Sequence, residues 1–240
     1  MELILTTLAE AKVIFADLSK KLQARAGAVT SNTEEPIDIT IAAMQQFFDI
    51  AKGVDASKTE FVSNDISDVG EHGLMLLEKL VLKAGSLNDI EDKTDLEQIA
   101  LVIAEWIIQR DGKINILEPI VDALAQVANA VSDTEQLIAL ADFMGEIADA
   151  CSDTIKQDIE IGNMHRPWRI LNINRGIVAT RTNDPQTMRR VFTELIKALP
   201  MDAPGFFKEG MSEMIRLNYP DHVRDVMQEY FDQTDMPQIH

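Results

Sequence analysis

Apolar residues recur along this chain at helical spacing almost from end to end. Over residues 2–25, Ile4, Leu8, Ala11, Phe15, Leu18 and Leu22 alternate four- and three-residue steps, which is a heptad seam. Leu3, Leu5, Val13 and Ile14 widen that face. Ile37, Ile41, Met44, Phe48 and Ala51 predict a second helix over 37–52, with Gly53 as its stop. Ile66, Val69, Gly73, Leu76, Leu77, Leu80 and Ala84 predict a third over 65–84, stopped by Gly85. Gly70 and Gly73 inside it each cost roughly 1 kcal/mol against alanine, so their use predicts a close neighbour or a kink. From Ile99 to Ile108 the helix predicted over 95–110 is apolar on nearly every side and reads as the central buried helix. Helices over 115–131 and 134–150 follow, and the period-two pattern of strands is almost absent.

Near the C-terminus the pattern repeats. Pro185-Gln186-Thr187-Met188-Arg189-Arg190-Val191-Phe192-Thr193-Glu194 is echoed 35 residues on by Pro220-Asp221-His222-Val223-Arg224-Asp225-Val226-Met227-Gln228-Glu229. That offset fits one helix–turn–helix unit. Pro167, Pro185, Pro204 and Pro220 each open a short helix, because the first turn's N–H groups lack intrahelical partners anyway. Asp184 and Asp202 are expected N-caps of two of them, and Ser132-Asp133 of the helix over 134–150. A fainter echo joins Asp95-Leu96-Glu97-Gln98-Ile99 to Asp133-Thr134-Glu135-Gln136-Leu137, both acidic helix starts suited to the helix dipole.

Between the helices, Gly27 to Pro36 reads as a hinge and Ser86 to Lys93 as a polar acidic loop; Ser57-Lys58-Thr59-Glu60 fits a capping box. The resulting organisation is an N-terminal helix and linker arm, 1–34, followed by a single helical-repeat domain, 35–240. The domain has an acidic half, 35–160, and a half of proline-started helices, 161–240.

Charge sharpens this division. The chain carries a net −18, and all of it falls in residues 1–160, since 161–240 holds ten basic and ten acidic residues. Within 161–200, Arg166, Arg169, Arg175, Arg181, Arg189, Arg190 and Lys197 face only Asp184 and Glu194. A basic island on an acidic protein is expected to pair with the acidic half, and the overall field disfavours nucleic acid. The lone Cys151 excludes an internal disulfide and favours a reducing compartment. No apolar run approaches bilayer length and no secretory leader pattern opens the sequence, so a cytoplasmic protein without a membrane partner is expected.

Motifs of chemistry are sparse. His72, His165, His222 and His240 are isolated, without metal-ligand spacing. Cys151 lies between Asp149 and Asp153, whose charge opposes thiolate formation. No phosphate-binding glycine loop or nucleophile elbow occurs. Asp111-Gly112-Lys113-Ile114-Asn115-Ile116-Leu117-Glu118 resembles the second half of an EF-hand loop, but Ile107 and Gln109 stand where its first ligands belong. The Asp-Gly-x-Ile-x-x-x-Glu pattern also resembles the turn joining two helices in tellurite-resistance TerB-like domains. Gly112 as a helix C-cap and Glu118 at the next helix start explain the same residues structurally. Around Pro167, a helix places Trp168, Leu171 and Val178 together with Arg175 at their edge, while Arg166 and Arg169 offer forked donors.

The fold expected is all-α: antiparallel helical hairpins in a two-layer array, a short α-solenoid similar in layout to HEAT-like repeats. The function expected is a non-catalytic scaffold for protein–protein interaction, with no cofactor, no metal and no assigned catalytic residue. Arg166, Trp168, Arg169, Arg175, Arg181, Arg189 and Arg190 are the candidates for binding a partner or anion, including an acidic peptide. The alternative is an anion- or small-molecule-binding protein, or an enzyme, built on the arginine-rich segment 165–190. The seam of the helix over 2–25 offers a route to a homodimer.

Overall fold

The computed structural model describes residues 7–28, 37–57, 62–87 and 90–235, with Ala28, Ile90 and Glu91 as backbone only. Among them the chain is all-helical: α1 (Leu8–Ala28), α2 (Ile37–Ala56), α3 (Ser63–Ser86), α4 (Ile90–Ile108), α5 (Glu118–Ala130), α6 (Thr134–Ala150), α7 (Asp153–Lys156), α8 (Pro167–Arg181), α9 (Pro185–Ala198), α10 (Ala203–Arg216) and α11 (Asp221–Asp235). Among the described residues an isolated bridge pairs Ile114 with Cys151. Most of the expected 27–36 hinge, the Lys58–Glu60 part of the capping box, Ile4 of the seam and His240 lie outside the described residues. α4 starts at Ile90, so the back of the expected acidic loop is helical instead. α2 runs through Gly53 to Ala56. Gly53 has open space around it and nothing there ends the helix.

The chain forms two compact units. Of the described residues, one comprises those up to Gln126 together with Asp149–Ile155; the other comprises Val127–Ala148 and those from Lys156 on. In the first, α1 packs on α2 and α4, α2 on α3, and α3 on α4. The seam residues Ala11, Phe15, Leu18 and Leu22 are buried, Phe15 against the ring of Phe48 at 5.7 Å. Ile99 to Ala104, Trp106 and Ile107 on α4 are all buried, as continuous apolarity requires. The two α3 glycines admit neighbours. A Cβ on Gly70 would meet the Ile107 side chain, and one on Gly73 would stand 2.7 Å from the Phe47 ring.

The turn after α4 corrects one reading of Gly112. The left-handed residue is Asp111, with φ 54°. Gly112 N–H donates to the Ile107 carbonyl and Asp111 N–H to that of Ile108, a Schellman arrangement. Gly112 is needed for a different reason, since a Cβ there would come within 2.9 Å of both Ile66 and Ile107. Beyond it, Ile114 N–H donates to the Ala150 carbonyl and Ser152 N–H to that of Ile114. Cys151, the partner of Ile114 in this bridge, is fully buried.

In the second unit α8 packs on α9, α10 on α11, and α9 on α11. The 35-residue echo has a physical basis here. Asn183 and Asn218 both adopt left-handed backbone, at φ 54° and 51°, just past the ends of α8 and α10. A proline follows each two residues later. Met188 and Val223, Val191 and Val226, Phe192 and Met227, and Leu195 and Tyr230 then occupy equivalent buried positions. Each copy is a turn plus one apolar stripe at i, i+3, i+4 and i+7. Arg189 of the first copy pairs with Glu229 of the second.

Candidate interaction surface of the C-terminal unit

The arginines of α8 and α9 are distributed over separate places, and each has at least one partner within the chain. Arg166 is buried at the start of α8. Its Nε donates to Asp158 at 2.7 Å, its Nη1 to the carbonyls of Ile161 and Asn163 at 3.0 and 2.8 Å, and its Nη2 to Asp202. Burial works against the guanidinium charge, but hydrogen bonds and charge from Asp158 and then Asp202 outweigh it and raise its pKa. Arg169 Nε donates to the other Asp202 oxygen at 2.8 Å. These two arginines explain why Asp202 makes no side-chain cap on α10, contrary to expectation. Asp184 does cap α9, accepting from Thr187 N–H at 2.8 Å. The Thr187 hydroxyl and then its backbone N–H hold the Asp184 carboxyl below the usual range.

Arg175 projects into the unit's interior and is 5% exposed. Its Nε donates to the Ala141 carbonyl of α6 at 2.9 Å and its Nη1 lies 2.5 Å from Glu194 of α9. Gly145 on α6 makes the space, since a Cβ there would run into the guanidinium. Trp168 is buried nearby in sequence, its indole N–H 3.4 Å from the Ala198 carbonyl. Arg181 donates to the carbonyls of Ala128 and Val131, at the C-terminal end of α5, where a cation meets the negative end of the helix dipole. Arg189 and Arg190 are partly exposed and pair with Glu229 and Asp142. The Glu229 hydrogen bond raises the Arg189 pKa. Three carboxylate partners, Asp202, Glu194 and Glu229, come from residues 161–240. Asp158 and Asp142 come from the acidic half, so the pairing is shared between the two halves of the sequence.

The surface feature that charge and spacing missed is an apolar groove of about 410 Å³ between α8, α10 and the start of α11. Ile173 and Ile177 line it from α8, Phe206 and Met214 from α10, and Leu217 and Met227 beyond. Ile177 and Leu217 are exposed. A Cβ on Gly176 would meet the Phe206 ring at 2.7 Å, and one on Gly210 would meet the Met227 sulfur at 2.7 Å. These glycines set the depth at which the groove walls approach. A second stripe on α8, Ile170, Ile173 and Ile177, was available in the sequence as its signal. It was hidden because Trp168, Leu171 and Val178 already account for that helix's buried face. Glu209 and Glu213 rim the groove. Glu213 is held below its usual pKa by its hydrogen bond from Arg216.

Among the described residues no group of three or more His, Cys, Asp or Glu side chains converges as a metal site. No helix there is long and apolar enough to cross a membrane. No family model, curated protein or solved structure matches the chain.

Proposed function

We propose that this protein is a non-catalytic helical scaffold that binds another protein through the groove between α8 and α10. The observation that carries the reading is the groove itself, whose lining side chains come from successive helices and include exposed Ile177 and Leu217. Apolar concavities rimmed by polar residues mark interaction sites. Its apolar lining from two helices suits an amphipathic segment that lays one apolar stripe into it. The repeat reading belongs to the same proposal: α8 with α9 and α10 with α11 form helical pairs of a HEAT-like, solenoid layout, supported by the shared turn and stripe geometry of the 35-residue echo. Work in the cytoplasm fits the single thiol.

The alternative, anion or small-molecule chemistry on segment 165–190, has less support because the arginine donors described above are taken by the chain's own carboxylates and carbonyls. A photo-crosslinking residue at position 177 tests the proposal in the native cell. It yields a discrete protein adduct, and the purified adduct partner loses affinity for Ile177→Ser. Absence of an adduct, or equal affinity for the variant, overturns the reading.

A further inference from the structure

The charges lining the α8–α10 groove constrain what it can hold, and this inference rests on the reading of that groove as a docking surface. On α10 the apolar wall is Phe206, Gly210, Met214 and Leu217. Glu209 and Glu213 each stand one position before a wall residue and one helical turn apart, so both carboxylates flank the same side of the groove. The facing wall on α8, Ile173, Ile177 and Thr180, carries no charge before Arg181 at the end of the helix. Met214 and Met227 are unbranched and adapt to leucine, isoleucine or phenylalanine in an occupant, so apolar shape alone selects weakly among partners. Selection falls to the charges.

The charged side chains of the lining are Arg181, Glu209 and Glu213, and they differ in how far they are committed. Arg181 is held by the Ala128 and Val131 carbonyls at the end of α5. Glu213 accepts from Arg216 Nε, 3.0 and 3.1 Å from its two oxygens, on its own helix. Both members of that pair are exposed, and an exposed pair of this kind contributes little, so it yields to a better-placed cation. Among the described residues the exposed Glu209 carboxylate has no hydrogen bond or ion pair. At physiological salt the Debye length is about 8 Å, so carboxylates beside the occupant count for more than charge elsewhere on the chain. We propose that the groove takes a basic amphipathic helix of another protein. Its aliphatic stripe lies on Ile173, Ile177 and Leu217, and lysine or arginine side chains one turn apart meet Glu209 and Glu213. The same two carboxylates turn away an acidic segment, because like charges set side by side oppose association.

The test is a fluorescence-anisotropy titration of the purified full chain with two synthetic peptides. One is an amphipathic helix of leucine and lysine, the other the same peptide with glutamate for lysine. The lysine peptide binds and the glutamate peptide does not. Ile177→Ser weakens the lysine peptide by about tenfold, the loss typical of a contact residue that matters. Glu209→Gln weakens it by about threefold, as loss of an exposed charge pair does. Glu135→Gln, exposed on α6 and outside the groove lining, leaves it unchanged, which separates local pairing from general attraction to an acidic chain. The double variant Glu209→Lys with Glu213→Lys reverses the preference between the peptides. Circular dichroism of each variant should match that of the parent chain. Equal binding of both peptides, with loss on Ile177→Ser, would overturn the basic occupant and leave the groove reading standing. Binding of the lysine peptide that Ile177→Ser leaves unchanged would overturn both. Failure of the lysine peptide to bind, or equal losses on Glu209→Gln and Glu135→Gln, would overturn the basic occupant. So would a dimer in sedimentation that Ile177→Ser dissolves, because the occupant would then be a second copy of the chain.

Discussion

Arg175 should be a stabilising residue of the C-terminal unit, and its removal has a calculable cost. The guanidinium is buried and makes one hydrogen bond to a carbonyl and one ion pair. Hydrogen bonds to charged groups contribute about 1.5–3 kcal/mol. Breaking a fully buried pair costs more, about 3–5 kcal/mol, because a charge is stranded. That larger figure does not apply, since the Glu194 side chain is 43% exposed and rehydrates when its partner is lost. Arg175→Leu should therefore cost about 1–3 kcal/mol. For cooperative unfolding of a chain of this size that corresponds to roughly 2–4 °C in Tm for each kcal/mol. Denaturant unfolding read by Trp168 fluorescence checks it, with Trp106 replaced by phenylalanine to isolate the signal. Gly145 supplies a sharper version. Gly145→Ala in the parent chain pushes the guanidinium out and destabilises. In the Arg175→Leu background the obstacle is gone, and the same change should stabilise by up to about 1 kcal/mol through helix propensity. A Gly145→Ala effect of the same sign and size in both backgrounds would refute the reasoning.

Three further outcomes follow. Asp184→Ala should cost about 1 kcal/mol at neutral pH through loss of the α9 cap; because the folded carboxyl is held low, the gap to the parent chain should close as pH falls below about 4, read by denaturation midpoints across pH. Asp122 behaves in the opposite sense: burial first, and then the charge of Glu97, raises its pKa, so Asp122→Asn should stabilise the chain at pH 7 and the gain should fade toward acid pH. Gly73→Ala should destabilise despite better helix propensity, because the new methyl meets the Phe47 ring and overpacking costs about 1–3 kcal/mol; a raised Tm would contradict that packing.

The sequence disclosed much of this architecture. The α4 run from Ile99 to Ile107 could only be a buried helix, and the four prolines marked the starts of α8 to α11 within a residue or so. The α3 glycines announced close neighbours, although Phe47 and Ile107 could not be named from α3 alone. The turns were harder to read. Asp111 takes the left-handed position for which Gly112 was the expected cap, and Asn183 and Asn218 take it past α8 and α10, where no stop was read, since Asn and Asp tolerate that conformation. The arginine segment was legible as an unusual concentration of charge, but its partners depend on tertiary placement. Asp202 lies 33 residues from Arg169, and Ala141 lies 34 from Arg175. The groove was hidden for a related reason, because one helix, α8, carries two apolar stripes and the second, Ile170, Ile173 and Ile177, is covered only in part.

Whether the α8–α10 groove docks a protein, as proposed, is decided by in-cell crosslinking from position 177. A single adduct should form from position 177 and not from an exposed control such as position 232, and the captured protein, once purified, should bind the parent chain and lose affinity for Ile177→Ser. Indiscriminate adducts from both positions, or none from position 177, would contradict it.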